Sequence, residues 1–277
     1  MTNTPLLSII TTSLNRRVLL EKTLASVLEQ TYPHIEQLVI DAKSTDNTIL
    51  LLKNCEAKFQ KRGFLFSWIS ERDSGQGEAM NKGLQKATGE YITILNSDDF
   101  LVPGAIQDFM SQLISHPNID LIYGNHDTLF PSGEQTTIHH RPYTLNDIIN
   151  GACQIPQSSA IFKRKFINQV GGFDESLRHV AEHDLFLRIV KSGAKLLYYP
   201  RVFQVTLEHE GRKTTSSHAR SWRETKKVNF RNGASCRSRF YFLYLKNVYF
   251  QWFFGFLKNH FPKIHNRIKN LFHTLSV

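Results

Sequence analysis

An apolar run, Glu90-Tyr91-Ile92-Thr93-Ile94-Leu95, passes directly into Asn96-Ser97-Asp98-Asp99. The run reads as a buried strand, which puts two adjacent carboxylates at its C-terminal end, against a core. Each ionised group resists desolvation and repels its neighbour. A divalent cation offsets both costs. Magnesium and manganese prefer carboxylate oxygen and usually share their coordination shell with substrate phosphates. The plainer reading of the doublet is a solvated turn or a helix cap ahead of Pro103. The rest of the chain favours the cation.

Strand and helix patterns alternate through the first hundred residues. Leu6–Thr12 reads as a strand, followed by a helix with Leu20, Leu24, Val27 and Leu28 on one face. Glu36–Asp41 is a second strand, with Ser44–Asn47 opening the next helix. Phe64–Ile69 is a third strand, and a Gly-rich turn leads into a helix over Glu78–Lys86. Such alternation predicts a mostly parallel sheet with helices on both faces. Right-handed crossovers then gather the loops after the strands along one edge, where open α/β sheets bind ligands. Asp41, Asp73, Asp98 and Asp99 are all expected there. Beyond Pro103 the pattern changes. Ile119–Phe130 reads as strand, Pro131–Glu134 as a turn before an antiparallel strand, Ser159–Phe162 as a strand and Glu182–Ser192 as a helix. Residues 195–207 read as final strands.

The chain has 277 residues, 41% hydrophobic, enough for one large α/β domain with an appendage. Its charge of +10 is uneven: residues 211–277 hold 14 of 34 Lys and Arg and one of 24 acids, a local +13, which leaves −3 on residues 1–210. A basic tail on a mildly acidic domain suggests attraction to an anionic surface. No nucleic-acid recognition motif accompanies that charge, so acidic lipid is the expected partner and nucleic acid is not. Phe240–Leu257 is almost wholly apolar and aromatic, but 18 helical residues reach only about 27 Å, short of a ~30 Å hydrocarbon core, and Lys246 interrupts them. Beyond Pro262, Ile264, Ile268, Leu271, Phe272 and Leu275 share a helical face flanked by Lys263, Arg267 and Lys269, the pattern of a helix lying on a membrane surface. The other reading is that these helices pack on the domain or on a second copy. Cys55, Cys153 and Cys236 make no metal-type spacing, and no structural disulfide is expected. Met1–Pro5 shows no apolar signal segment. The expected location is cytoplasmic, peripheral on the inner face of the membrane.

Over residues 6–215 the chain resembles the family 2 glycosyltransferases of GT-A fold. The stretches that carry the likeness are Ser8–Arg16, Val39–Thr48, Ser70–Gly75 with Ala79–Gly83, Ala87–Tyr91, Asn96–Asp99, Gly171–Glu175 and Ala181–Arg188, in the family's order and spacing. The resemblance implies an α/β fold of GT-A type. It divides into a domain over 1–215, with a nucleotide-sugar half (1–102) and an acceptor half (103–215), and a basic, aromatic helical tail over 216–277. The implied reaction is an inverting, metal-dependent transfer of a sugar from a nucleotide-diphosphate donor, UDP-sugar favoured, to a hydroxyl on a glycan or lipid-linked acceptor. The cofactor would be Mn2+ or Mg2+, acting as a Lewis acid on the departing diphosphate.

By the same resemblance, Asp99 ligates the cation, and Asp98 contacts the donor ribose or sugar or helps to hold the metal. His209 is a further metal or diphosphate contact, and Arg212 and Lys213 could bind diphosphate. Thr11, Ser13 and Asn15 line the nucleotide pocket, Asp41 accepts from the base, Asp73 meets the nucleoside or donor sugar, and Asn81 lies near the donor. Leu14 stands where many relatives carry an aromatic residue. Inversion needs a general base for the acceptor hydroxyl: Glu182 aligns with the usual carboxylate, and Asp184 is the alternative. Trp222 could line the acceptor groove. Two other function classes remain open on sequence: a nucleotidyltransferase-like enzyme and a non-catalytic sugar-nucleotide-binding protein. The first usually has a Gly-rich phosphate loop, and Thr11–Arg17 contains no glycine. No G-x-G-x-x-G follows the first strand, which argues against a dinucleotide oxidoreductase.

Overall fold

A computed structural model describes residues 4–151, 154–208 and 218–261. Four strands, β1 (Leu7–Ser13), β2 (Ile35–Asp41), β3 (Leu65–Ser70) and β4 (Tyr91–Ile94), form a parallel half-sheet in the order β3-β2-β1-β4. Helices α1 (Arg17–Leu28), α2 (Thr48–Arg62) and α3 (Gln76–Lys86) make the crossovers between them. β5 (Asp99–Leu101) and α4 (Ala105–Ser115) follow. The second half adds β6 (Leu121–Leu129), β7 (Gln135–Ile138), α5 (Leu145–Asn150), β8 (Ala160–Lys163), α6 (Lys165–Val170), α7 (Ala181–Lys191) and β9 (Leu196–Leu207). β8 pairs antiparallel with both β4 and β6, β9 runs parallel to β6, and β5 closes the far edge antiparallel to β9. The expected hairpin at Pro131–Glu134 joins β6 and β7. Residues 196–207 are one long strand rather than several.

The apolar runs of β1, β2 and β4 follow from burial on both faces. Leu7 and Ile9 of β1 pack against α1, α2 and α4, whereas Ile10 faces the other way, against Met80 and Leu84 of α3. α3 lies so close to β1 that a Cβ at Gly83 would sit 2.4 Å from Ile10 Cγ2. The second face is completed by α5, α6, α7 and a further helix, α8 (His218–Arg231), whose Val228 is fully buried.

That helix revises the expected boundary at residue 215. α8 packs on the second half of the sheet domain: His183 of α7 is within 2.7 Å of Asn229 Oδ1, and Asn229 Nδ2 donates to Ile149 O. α9 (Arg239–Leu245), a π-helical turn over Lys246–Phe250 and α10 (Gln251–His260) follow. Phe240, Tyr244 and Val248 pack against Trp222 and Phe230 of α8. Trp222, suggested above for the acceptor groove, stacks on Phe240. The amphipathic segment expected beyond Pro262 lies outside the described residues, as does His209.

Gly83→Ala should lower stability by about 1–3 kcal/mol through overpacking against Ile10, measured by urea unfolding. An unchanged midpoint would mean that α3 has room to shift off β1.

Candidate active site

The loops after β1, β2 and β4 emerge on one edge of the sheet and enclose a cleft of about 320 Å³, within the size range of small-molecule sites. Its walls include Ser13, Leu14 and Arg16 from the first loop, Ala42 from the second, Asp73, Gly75 and Gln76 ahead of α3, and Asn96, Ser97 and Asp98 after β4. A second hollow of about 330 Å³ adjoins it across Gly75 and Gln76 and is lined on its far side by Arg178, His179 and Glu182. Gly75 separates the two with φ +150 and ψ 177, a conformation open essentially to glycine alone.

The acidic doublet divides at this rim. Asp98 lines the cleft, its carboxylate paired with the Arg16 guanidinium. Asp99, the residue expected to meet the cation directly, is 3% exposed, takes no part in the cleft wall and accepts from Asn96 Nδ2 at 2.9 Å. The cause is the two-residue period of a strand. Asp99 opens β5 and shares a face with Leu101, which belongs to the core under α1 and α4. Thr23 of α1 donates to the Asp99 carbonyl at 2.8 Å.

The same parity corrects two further expectations. Asp41 shares a face with Val39 and is fully buried, its carboxylate accepting from Ser44 N at 3.0 Å and Ser70 Oγ at 2.6 Å. It shapes the loop whose next residue, Ala42, forms the wall. Thr11 shares a face with Ile9 and accepts from Gln37 Nε2 at 3.1 Å, with no exposure. Ser13 does reach the cleft: its Oγ is buried and has no hydrogen-bond partner. Asn15 sits beside the cleft with φ 50, its side-chain oxygen accepting from Thr45 N at 2.8 Å, so it braces the first two loops together. Asp73 is in the wall, where its carboxylate accepts from Gly75 N at 3.0 Å.

Asn81 braces α3 against the turn that holds Phe173 and Glu175. It donates to Phe173 O at 3.0 Å and Glu175 Oε1 at 2.7 Å, and accepts from Phe173 N at 2.7 Å. Lys82 bridges Glu71 at 2.9 Å and Glu78 at 2.8 Å. The bond from Lys82, then that from Ser74, draws the Glu78 pKa down to about 2.

The two candidate bases have opposite fates. Glu182 and Asp184 both lie in the first turn of α7, but only Glu182 faces the second hollow. Asp184 has no exposure; it accepts from Arg188 Nε at 2.8 Å and pairs with Arg231 of α8. It is a buried structural anion, which corrects its candidacy as base. Arg188 in turn donates to Val170 and Gly172 carbonyls, and Glu224 of α8 accepts from the Arg178 and His179 amides at 3.1 and 2.8 Å. Burial lowers the pKa of His183 below its ordinary value. Together these contacts hold the start of α7, and hence Glu182, in place. Pattern reading missed Arg16, the basic side chain of the cleft wall among the described residues; its position after Asn15 was the available signal.

A parallel half-sheet with an acid-lined cleft at its strand ends, facing a carboxylate on a helix of the second half, defines a glycosyltransferase of GT-A type. The chain belongs to glycosyltransferase family 2: the family model "Glycosyl transferase family 2" matches residues 8–174. It is 30% identical to an uncharacterized glycosyltransferase of Mycobacterium tuberculosis over 191 residues, 68% of this chain and 70% of that protein. It is 43% identical to TuaG of Bacillus subtilis, a putative teichuronic acid biosynthesis glycosyltransferase, over 100 residues, 36% of this chain and 38% of that one. Among solved structures, S. aureus TarS 1–349 in complex with UDP-GlcNAc is similar with TM-score 0.62 at 17% identity, over 80% of this chain and 66% of that one. The chain covers 40% of a longer TarS chain. The mannosyltransferase PcManGT from Pyrobaculum calidifontis, in complex with GDP-Man and Mn2+, is similar with TM-score 0.61 at 20% identity, over 82% of this chain and 64% of that one.

Asp184→Asn should cost about 1.5–3 kcal/mol, the scale of lost hydrogen bonds to a charged group, because Arg188 and Arg231 keep access to solvent, whereas Glu182→Gln should leave the melting temperature near wild type and abolish transfer. A stable Asp184→Asn protein would remove the structural role assigned to that carboxylate.

Proposed function

We propose that this glycosyltransferase moves a sugar, with inversion, from a nucleotide-diphosphate donor to a hydroxyl of a glycan or lipid-linked acceptor in surface polysaccharide synthesis. The observation that carries the reading is the arrangement of Asp98 and Glu182 on two adjoining hollows that share Gly75 and Gln76. The similarity to TuaG, a putative teichuronic acid biosynthesis glycosyltransferase, supports a polysaccharide product. UDP-GlcNAc in TarS favours a UDP-sugar, while GDP-Man in PcManGT shows a second base on the same fold.

The cleft suits Mn2+ or Mg2+. Asp98 offers a carboxylate, and Asp73 and Asn96 are further oxygen-bearing side chains lining the same cleft. Among the described residues no cluster of three His, Cys, Asp or Glu side chains is placed to hold a metal ion. The remaining coordination sites then fall to the diphosphate and water, the usual arrangement for these ions. When bound, the cation would neutralise charge developing on the leaving diphosphate. Asp98 would hold it, with Asp99 supporting the turn from beneath. Ser13 and Asp73 would orient the nucleoside and donor sugar. Glu182 would accept the proton of the acceptor hydroxyl as its oxygen attacks the anomeric carbon from the face opposite the diphosphate. That proton ends on the Glu182 carboxylate.

Asp98→Asn should lower kcat by roughly 10³-fold, on the scale of losing several kcal/mol of electrostatic stabilisation. It should also lose the Mn2+-dependent part of the thermal shift given by UDP, about 2.7 kcal/mol at 100 times Kd in wild type. Wild-type kinetics in that variant would refute the reading.

The tail supports a peripheral site on an anionic membrane, on the cytoplasmic side. Among the described residues no helix is long and apolar enough to cross a bilayer. Phe242, Leu245, Tyr249, Phe253 and Phe256 are all exposed, Phe242 by 68%, and recur at helical spacing. Arg237, Arg239 and Lys246 beside them are exposed too. Aromatic side chains flanked by basic ones suit an interfacial helix. Replacing Phe242, Phe253 and Phe256 together with Ser should release the protein from phosphatidylserine vesicles in a sedimentation assay. Unchanged partitioning would exclude this face as the anchor.

A further inference from the structure

Arg16 stands at the mouth of the cleft and its guanidinium engages Asp98, the carboxylate proposed above as the cation ligand. The two belong to different loops, one before α1 and one after β4, and neither side chain is deeply buried: 30% and 14% exposed. Among the described residues of the cleft wall are two acids, Asp73 and Asp98, and Arg16 pairs with the second. A guanidinium and a divalent cation compete for the same carboxylate oxygens and repel each other at short range. Both cannot hold Asp98 in its best geometry.

The backbone around Arg16 is fixed. The Arg16 carbonyl accepts from Leu20 N at 2.9 Å as α1 begins, and Arg17 N donates to Asp46 at 2.8 Å. Only the side chain is left to move, and it is long enough to turn from one wall of the cleft into its interior. The ligand expected with the cation carries a diphosphate, and a planar guanidinium fork matches phosphate oxygens better than any other side chain.

We propose that Arg16 is an exchangeable placeholder: it neutralises Asp98 in the donor-free protein and transfers to the donor's diphosphate when the cation takes Asp98. This inference rests on the cation site at Asp98. It makes Arg16 a competitor of the metal alone and a partner of the nucleotide diphosphate, two roles of opposite sign.

The test uses the full chain and two ligands. Mn2+ binding without nucleotide is read by electron paramagnetic resonance, and UDP binding at saturating Mn2+ by calorimetry. Arg16→Met should bind Mn2+ alone about 3- to 10-fold more tightly, on the scale of a released, partly exposed ion pair. It should bind UDP about 10- to 100-fold more weakly, as a lost charge-assisted bond implies. Arg16→Lys keeps the charge and loses the fork, so its Mn2+ affinity should stay near wild type while UDP still weakens. Weaker or unchanged Mn2+ binding in Arg16→Met overturns the exchange, because a structural brace would weaken both ligands together. Should Arg16→Met fail to fold, undiminished UDP affinity in Arg16→Lys overturns it equally. Asp98→Asn separates the levels: if it loses Mn2+ while the Arg16 variants respond with one sign, the cation site stands and only the exchange falls.

Discussion

Everything at the site depends on the parallel pairing of β1 with β2 on one side and β4 on the other. Parallel strands buried on both faces must end on the same edge, and their loops then converge. The register sets Ser13 beside Asp41 and Ile10 beside Ile94, so the chain leaves both pairs level with the cleft. Ser13, Ala42 and Asp98 become neighbours although 85 residues separate the first from the last. Close contact between Gly83 and Ile10 fixes α3 on this half-sheet, which in turn sets Gly75 between the two hollows.

The other wall is held by charge. Buried Asp184 pairs with the partly exposed Arg188 and Arg231 and so ties α7 to α8, while Glu224 fixes the two amides just before α7. A fully buried carboxylate is tolerated only because two guanidinium groups surround it. Its neighbour two residues earlier, Glu182, is left at the hollow. One turn of helix thus contributes an anion to the core and another to the second hollow, and the rigidity of the first positions the second. Asn81 completes the frame by bonding α3 to Phe173 and Glu175, so the helix beside the cleft and the turn ahead of α7 are hydrogen-bonded to each other.

Much of this was legible in the order of residues. Strand runs bounded by polar loops predicted the parallel half-sheet, helical spacing predicted α1, a cap signal predicted α2, and the segments after Gly-rich turns predicted α3 and α7. The ordered set of short motifs marked the family, and family membership is borne out by the match over residues 8–174. Less legible was which member of each polar pair faces the cleft. Asp98 and Asp99 look equivalent as a doublet, as do Glu182 and Asp184 as first-turn acids. The position of α8 was hidden too, because its charged composition masks the single buried face that carries Val228 and Asn229.

By itself the sequence determined the alternation of strand and helix, the edge on which ligand loops gather, and the presence of carboxylates at that edge. Those follow from local periodicity and chain handedness, which need no distant partner. Only the tertiary structure decided the orientation of each carboxylate. Asp99 turns inward because β5 pairs with Thr206 of β9, and Asp184 because Arg231 reaches it from α8. A side chain's direction at a strand or helix end is set by what packs behind it, and here that partner lies 47 to 107 residues further along the chain.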